Sequence, residues 1–288
     1  MRRNDRKSQS DRLLAFCHIE KAAGTSLIHI LRRIFFLRYA AVRPLRSRDE
    51  EFFTARDLKI ARRINPFLLA VGGHSVVPYA GLLGGEEKVD FITQVREPVA
   101  RASSQYRHWV KRLKFREGWA AFLRHPISRN FQVKKIAGCE DLDLAKEIIS
   151  KDFLLAGTVN QFDAFLVLLA DKLGISMELF TYSQRNVDTD TRHLEMPNMF
   201  FDQLRERNQL DQKLFEWIDT QLLAEYISAY SGAFSADLEK FRAIQREASP
   251  PVIKPLVDSV YRNAYLKPIS GLIRVSNGLP FTGSYATR

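Results

Sequence analysis

Residues 13–34 constrain this chain more than any other segment. An apolar run with a polar tail, 13–19, is followed by Glu20-Lys21-Ala22-Ala23-Gly24-Thr25-Ser26, after which Leu27, Ile30, Leu31 and Ile34 recur at helical spacing. The pattern predicts a buried strand, a tight loop and a helix. Thr25 or Ser26 suits the helix N-cap. The loop N–H groups and the positive end of the helix would then converge on one point, a ready site for an anion.

The rest of the chain repeats the alternation. Residues 49–64 read as an amphipathic helix and 67–73 as a short buried strand ending at Gly72-Gly73-His74. A third strand, 89–95, runs into Arg96-Glu97-Pro98, where the proline opens a helix to about residue 115. Helices are expected over 117–124, 130–137 and 141–151, a strand over 153–158 and a helix over 161–173, and 199–248 is loosely amphipathic. This order predicts an α/β three-layer sandwich, a mostly parallel sheet of about four or five strands covered on both faces. Ligands of such sheets sit beyond the carboxyl ends of the strands. Lys21, His74 and Arg96 each follow a predicted strand, so three useful side chains could line one rim.

With 288 residues, one catalytic domain over 13–248 is expected, preceded by a basic tail (1–12) and followed by an extension (249–288) that either docks or stays loose. The formal net charge of +11 calls for an anionic partner. Basic residues are dense over 2–12, 101–116 and 134–135, but aromatic residues do not interleave with them as a single-strand stacking platform requires, which disfavours nucleic acid. No apolar run reaches bilayer-spanning length, because Arg32, Arg33 and Asp163 interrupt the best candidates. The apolar run after the basic start is too short for a signal-peptide core, so a cytoplasmic location is expected. Cys17 and Cys139 lack metal-site spacing and are read as buried thiols.

The first loop lacks the Walker order, since Lys21 precedes Gly24 and no lysine follows it. A magnesium-dependent nucleotide phosphotransferase would also need a metal-binding acid where the third strand instead ends in Arg96.

Residues 18–27, His-Ile-Glu-Lys-Ala-Ala-Gly-Thr-Ser-Leu, resemble the His-Ile-Pro-Lys-Thr-Ala-Gly-Thr-Ser signature of PAPS-dependent sulfotransferases, in the glycan O-sulfotransferase branch of the heparan sulfate uronyl type. Residues 96–106, Arg-Glu-Pro-Val-Ala-Arg-Ala-Ser-Ser-Gln-Tyr, are similar to that family's Arg-Asp-Pro-x-x-Arg-x-x-Ser-x-Tyr. Weaker echoes are Gly73-His74, Asn130-Phe131-Gln132, residues 157–163, and a late helix with Asn208, Asp211 and Phe215.

The resemblance implies a P-loop-like sulfotransferase fold and transfer of a sulfuryl group from PAPS (phosphoadenosine phosphosulfate) to an acceptor hydroxyl, with a glycan as acceptor and no metal. Lys21, with Ala23, Gly24, Thr25 and Ser26, would hold the phosphosulfate, and Lys21 would stabilise the departing phosphate. A side chain at Gly24 would obstruct the approach of the anion. Arg96 and Ser104 would clamp the ribose phosphate. His74 would be the base. Glu20 stands where the family has proline, and is either a rival base or an ion-pair partner tempering Lys21. Asn160 stands where the family has glutamate and inherits no role. Arg101 would brace its helix against an acid. Asn130 and Gln132 either touch a ligand or satisfy buried backbone groups, and Asn186 would sit near the nucleotide. A noncatalytic relative that binds anionic polysaccharide or membrane is the alternative of another class.

Overall fold

The computed structural model describes residues 12–46, 51–82, 88–182, 196–247 and 253–281. Its five strands are β1 (Arg12–Cys17), β2 (Tyr39–Ala41), β3 (Ala70–Gly73), β4 (Lys88–Val95) and β5 (Phe153–Thr158), and they form one parallel sheet in the order β2-β3-β1-β4-β5. The α/β architecture is therefore as expected, with five strands. Every residue of β1 after Arg12 is buried, as are the last five of β4. Consecutive burial of both strand faces requires cover on both sides of the sheet.

Helices α1 (Gly24–Phe35), α2 (Ala55–Ile64), α3 (Pro98–Leu113), α4 (Gly118–Arg124), α5 (Phe131–Ala137), α6 (Leu142–Asp152) and α7 (Phe162–Leu173) fall within a few residues of the expected positions. Later come α8 (Asn198–Arg207), α9 (Gln209–Trp217), α10 (Leu223–Ser228), α11 (Phe234–Glu247), α12 (Ile253–Tyr261) and α13 (Lys267–Ser276). The chain divides into two compact units. One comprises Met1–Cys17, Ile28–Phe91 and Ser249–Arg288, and the other His18–Leu27 and Ile92–Ala248.

In the first unit β3 pairs with β1 from Leu14↔Ala70 to Cys17↔Gly73, and with β2 from Tyr39↔Ala70 to Ala41↔Gly72. The sequence gave no signal for β2, because Tyr-Ala-Ala is too short to show alternation. Gly73 has φ 155°, and a Cβ there would lie 2.9 Å from the Val42 carbonyl oxygen, so glycine is required at this close approach of backbone to backbone. Helix α2 starts later than expected, at a capping box in which Thr54 and Asp57 exchange hydrogen bonds. The extension is helical: the Tyr265 hydroxyl donates to the Ile64 carbonyl (3.1 Å) and Asn277 Nδ2 to the Leu45 carbonyl (2.9 Å).

The second unit is organised around Val99, Ala102, Tyr106, Trp109, Trp119, Phe122, Leu123 and Leu204. Tyr106 stacks on Trp119 with ring centroids 3.8 Å apart. Its place in the second motif is thus a core position. Two expectations change and one is not reached. Cys17 is buried but Cys139 is exposed, because it follows the Gly138 C-cap of α5. Thr25 and Ser26 are not N-caps, since α1 already begins at Gly24 and both lie in its first turn. Asn186 lies outside the described residues.

Asp57 joins three elements of the first unit, accepting from the Leu45 N–H (2.9 Å), the Thr54 N–H (3.0 Å) and the Thr54 hydroxyl (3.0 Å) while fully buried. Asp57→Ala should cost about 2–3 kcal/mol, the sum expected for a lost cap and a buried N–H left unpaired. Urea unfolding of the variant would measure it, and a loss below about 0.5 kcal/mol would contradict this account.

Candidate functional site

The loop after β1 turns twice through the left-handed region without glycine, at Lys21 (φ 69°) and Ala23 (φ 56°). Such residues cost of order 1–3 kcal/mol each and persist where the surroundings hold them, often at functional sites. Left-handed residues spaced in this way turn successive N–H groups toward one concavity, a nest for an anion. The Ala22 N–H returns to the Ile19 carbonyl (3.4 Å), and those of Ser26 and Leu27 donate to the Ala23 carbonyl (3.1 and 3.3 Å). Between them, the N–H groups of Ala23, Gly24 and Thr25 have no acceptor among the described residues. They lie at the start of a twelve-residue helix, where the dipole adds positive potential.

Gly24 has a reason besides the one expected. A Cβ there would fall 1.8 Å from Nε2 of the buried His18 ring. The glycine is needed for the histidine packed against it, and His18 is a structural residue of the loop.

Arg96 joins this loop from the end of β4. Its Nη1 donates to the Lys21 carbonyl (3.3 Å). Its backbone is held at both ends by one side chain: the Arg96 N–H donates to Gln132 Oε1 and Gln132 Nε2 donates to the Arg96 carbonyl, each at 2.8 Å. Burial pulls the Arg96 guanidinium below its ordinary pKa and the neighbouring Arg107 adds to this, against an opposing pull from Glu97. Two cations within Coulombic reach are an arrangement that an anion would relieve. Glu97 caps α3, accepting from the Val99 N–H (3.0 Å) and the Ala100 N–H (2.6 Å). Ser104 lies on α3, half-buried, one turn before Arg107.

Gln132 is itself fixed. The fully buried Asp211 carboxylate accepts from the N–H groups of Gln132 (3.0 Å) and Val133 (2.8 Å). Beside it, Asn208 Oδ1 accepts from the Asn130 N–H (3.0 Å) and Asn130 Oδ1 accepts from the Leu210 N–H (3.2 Å). Of the two readings open for Asn130 and Gln132, both side chains serve backbone groups. Burial raises the Asp211 pKa although these donors, and the field of Arg101, act the other way. Arg101 is fully buried, donates to the Ile127 carbonyl (2.6 Å), lies 4.8 Å over the Phe131 ring, and is lowered to about 10 by burial. Asp211 and Glu20 supply the opposing negative charge. Glu20 forms an ion pair with Lys135 (3.6 Å), a partner the sequence did not suggest.

Lys21, Ala23, Gly24, Thr25, Ser26, Arg96 and Ser104 therefore belong to one unit, with Lys21 and Arg96 in direct contact. His74 belongs to the other unit, one residue past the end of β3 and half-buried. Sequence reasoning missed the hold of Gln132 on Arg96. Its only trace was the Asn-x-Gln echo paired with Asn208 and Asp211 on a later helix.

The chain matches no protein-family model and no curated protein. Among solved structures it is similar to the mouse sulfotransferase SULT7A1 in complex with PAP, at 18% sequence identity, over 77% of this chain and 89% of that one, with a TM-score of 0.47. Values of this size leave the site to be judged on its own residues. No helix among the described residues is long and apolar enough to cross a membrane.

Gly24→Ala should force the His18 ring out of place, an overpacking cost of about 1–3 kcal/mol. Calorimetry should show a midpoint lowered by about 2–4 °C per kcal/mol; an unchanged midpoint would mean that the ring does not need the glycine.

Proposed function

We propose that this chain moves a sulfuryl group from PAPS to an acceptor hydroxyl, with a glycan as the acceptor class. The observation that carries the reading is the cradle itself: three backbone N–H groups without acceptors among the described residues at the start of α1, beside a lysine whose carbonyl is bound by Arg96. A donor with a phosphosulfate at one end and a ribose phosphate at the other needs two anion clamps a fixed distance apart. The Lys21 loop suits the first, and Arg96 with Ser104 suits the second.

In the reaction the acceptor oxygen forms a bond to sulfur while the bond from sulfur to the bridging oxygen breaks, and PAP leaves with the charge. Lys21 and the N–H groups of Gly24 and Thr25 stabilise that charge as it develops. The acceptor proton passes to His74, the base in this reading. The engagement of Glu20 with Lys135 favours His74 over Glu20 in that role. Sulfuryl transfer depends on positioning and electrostatics, as phosphoryl transfer does.

Calorimetric titration with PAP in the absence of magnesium tests the donor site. Wild type should bind in the micromolar range, and Arg96→Ala should lose about 1.5–3 kcal/mol, the scale of hydrogen bonds to a charged group. No binding, or binding of ATP alone and only with magnesium, would turn the reading toward a phosphotransferase.

Gln132→Ala offers a second check, because it touches no ligand in this reading but releases the Arg96 backbone. Its PAP affinity should fall by about 1 kcal/mol. An unchanged affinity in a folded variant would show that Arg96 does not depend on Gln132.

A further inference from the structure

Within the first unit, the turn Arg262–Leu266 and α13 line one wall of a cleft of about 700 Å³. Five cationic side chains line it, Arg32, Arg43, Arg262, Lys267 and Arg274, and no carboxylate does so among the described residues. Its remaining walls are largely apolar. Arg274 is tied down, with Nη1 donating to the Pro44 carbonyl and Nε to the Pro280 carbonyl (3.0 Å). The Nε of Arg262 is buried without a hydrogen-bond partner among the described residues. Burial lowers the Lys267 pKa, and the charges of Arg262, Arg32 and Arg43 lower it further. Cations gathered on apolar walls, with no acid among the described lining residues, suit an anionic group that carries an apolar chain.

The outer face of the same helices has a second, separate feature. Leu256 and Leu272 are each 64% exposed, Val260 59% and Val275 52%. In an uninterrupted α-helix Leu272 would lie roughly 160° around the axis from Leu256, on another side. A π turn over Arg262–Leu266 intervenes, where the ring of Pro268 would crowd the carbonyl four residues earlier. The extra residue turns α13 back by roughly 100°, which brings Leu272 and Val275 to the side of Leu256 and Val260. The result is one apolar ridge on a segment, 253–276, with four basic residues (Lys254, Arg262, Lys267, Arg274) and one acidic residue (Asp258). That composition and exposure suit a helix lying in the surface of an anionic bilayer.

We infer that α12 and α13 bind the surface of an anionic membrane, with the apolar ridge in the acyl boundary and the cationic cleft taking the phosphate head of an anionic lipid. The inference is independent of the sulfuryl-transfer reading, since every residue it uses lies in the other unit from Lys21 and Arg96.

The test is co-sedimentation of the full chain with vesicles of phosphatidylcholine alone or with 30% phosphatidylglycerol, at about 0.15 M salt. Wild type should bind the anionic vesicles at least tenfold more tightly than the neutral ones. The ridge variant Leu272→Glu/Val275→Glu and the cleft variant Arg262→Gln/Lys267→Gln should each lose at least tenfold, with circular dichroism spectra unchanged. Lys114→Gln/Arg116→Gln, which removes the same charge from a basic run of the other unit, should stay within twofold. Equal loss in that control would overturn the inference in favour of bulk charge. Equal binding to both vesicles, or none by wild type, would overturn it too, as would a ridge variant that abolished self-association while binding vesicles normally. Competition by inorganic phosphate as strong as that by phosphatidylglycerol vesicles would show a phosphate site without a membrane, and would also overturn it.

Discussion

The Asp211 carboxylate is the fixed point on which the candidate donor site depends. Buried on α9, it receives the N–H groups of Gln132 and Val133 at the first turn of α5, and it faces the buried guanidinium of Arg101. Gln132 then holds the Arg96 backbone through both its amide atoms, and Arg96 binds the carbonyl of Lys21. A buried charge is tolerated only where donors and a counter-charge surround it, so none of these contacts can be removed without exposing another. The motif residues thus stand at the end of a chain of support that begins about 190 positions after Lys21.

This arrangement explains how the first loop keeps two non-glycine residues in a left-handed backbone. Strained turns persist when their surroundings over-determine them. Here His18 packs beneath Gly24 on one side, and Arg96 fastens the Lys21 carbonyl on the other. The N–H groups left without an acceptor among the described residues follow from the same geometry, because a loop bent in this way uses its carbonyls internally and leaves donors pointing out. An anion site of this kind needs no dedicated side chain at most of its positions, so it is specified by backbone shape more than by residue type.

Much of this was legible from the sequence, and the reasons are particular. The strand before Lys21 has five consecutive buried residues and the helix after it has a clear apolar stripe, so type and place were plain, while the cap was read two or three residues too late, at Thr25 or Ser26. Strand β2 was illegible because three residues carry no period. Cys139 was misread because composition cannot show that it follows a helix C-cap at the surface. The extension was undecided because its ridge and cleft emerge only when a π turn realigns two halves of one helix, and no periodicity count anticipates a slip of one residue.

By itself the sequence determined the alternation of strands and helices, the tight loop after the first strand, the excess of positive charge and the positions of Lys21 and Arg96 at strand ends. These depend on local pattern and on chemistry carried by single residues. Only the tertiary structure decided that Gln132 and Asp211 hold Arg96 in place, that Gly24 makes room for His18, and that Arg101 is a buried brace. It also decided that cations from residues 32–43 and 262–274 share one cleft. Those facts turn on contacts between residues far apart in the chain, and the folded backbone alone fixes which distant groups meet.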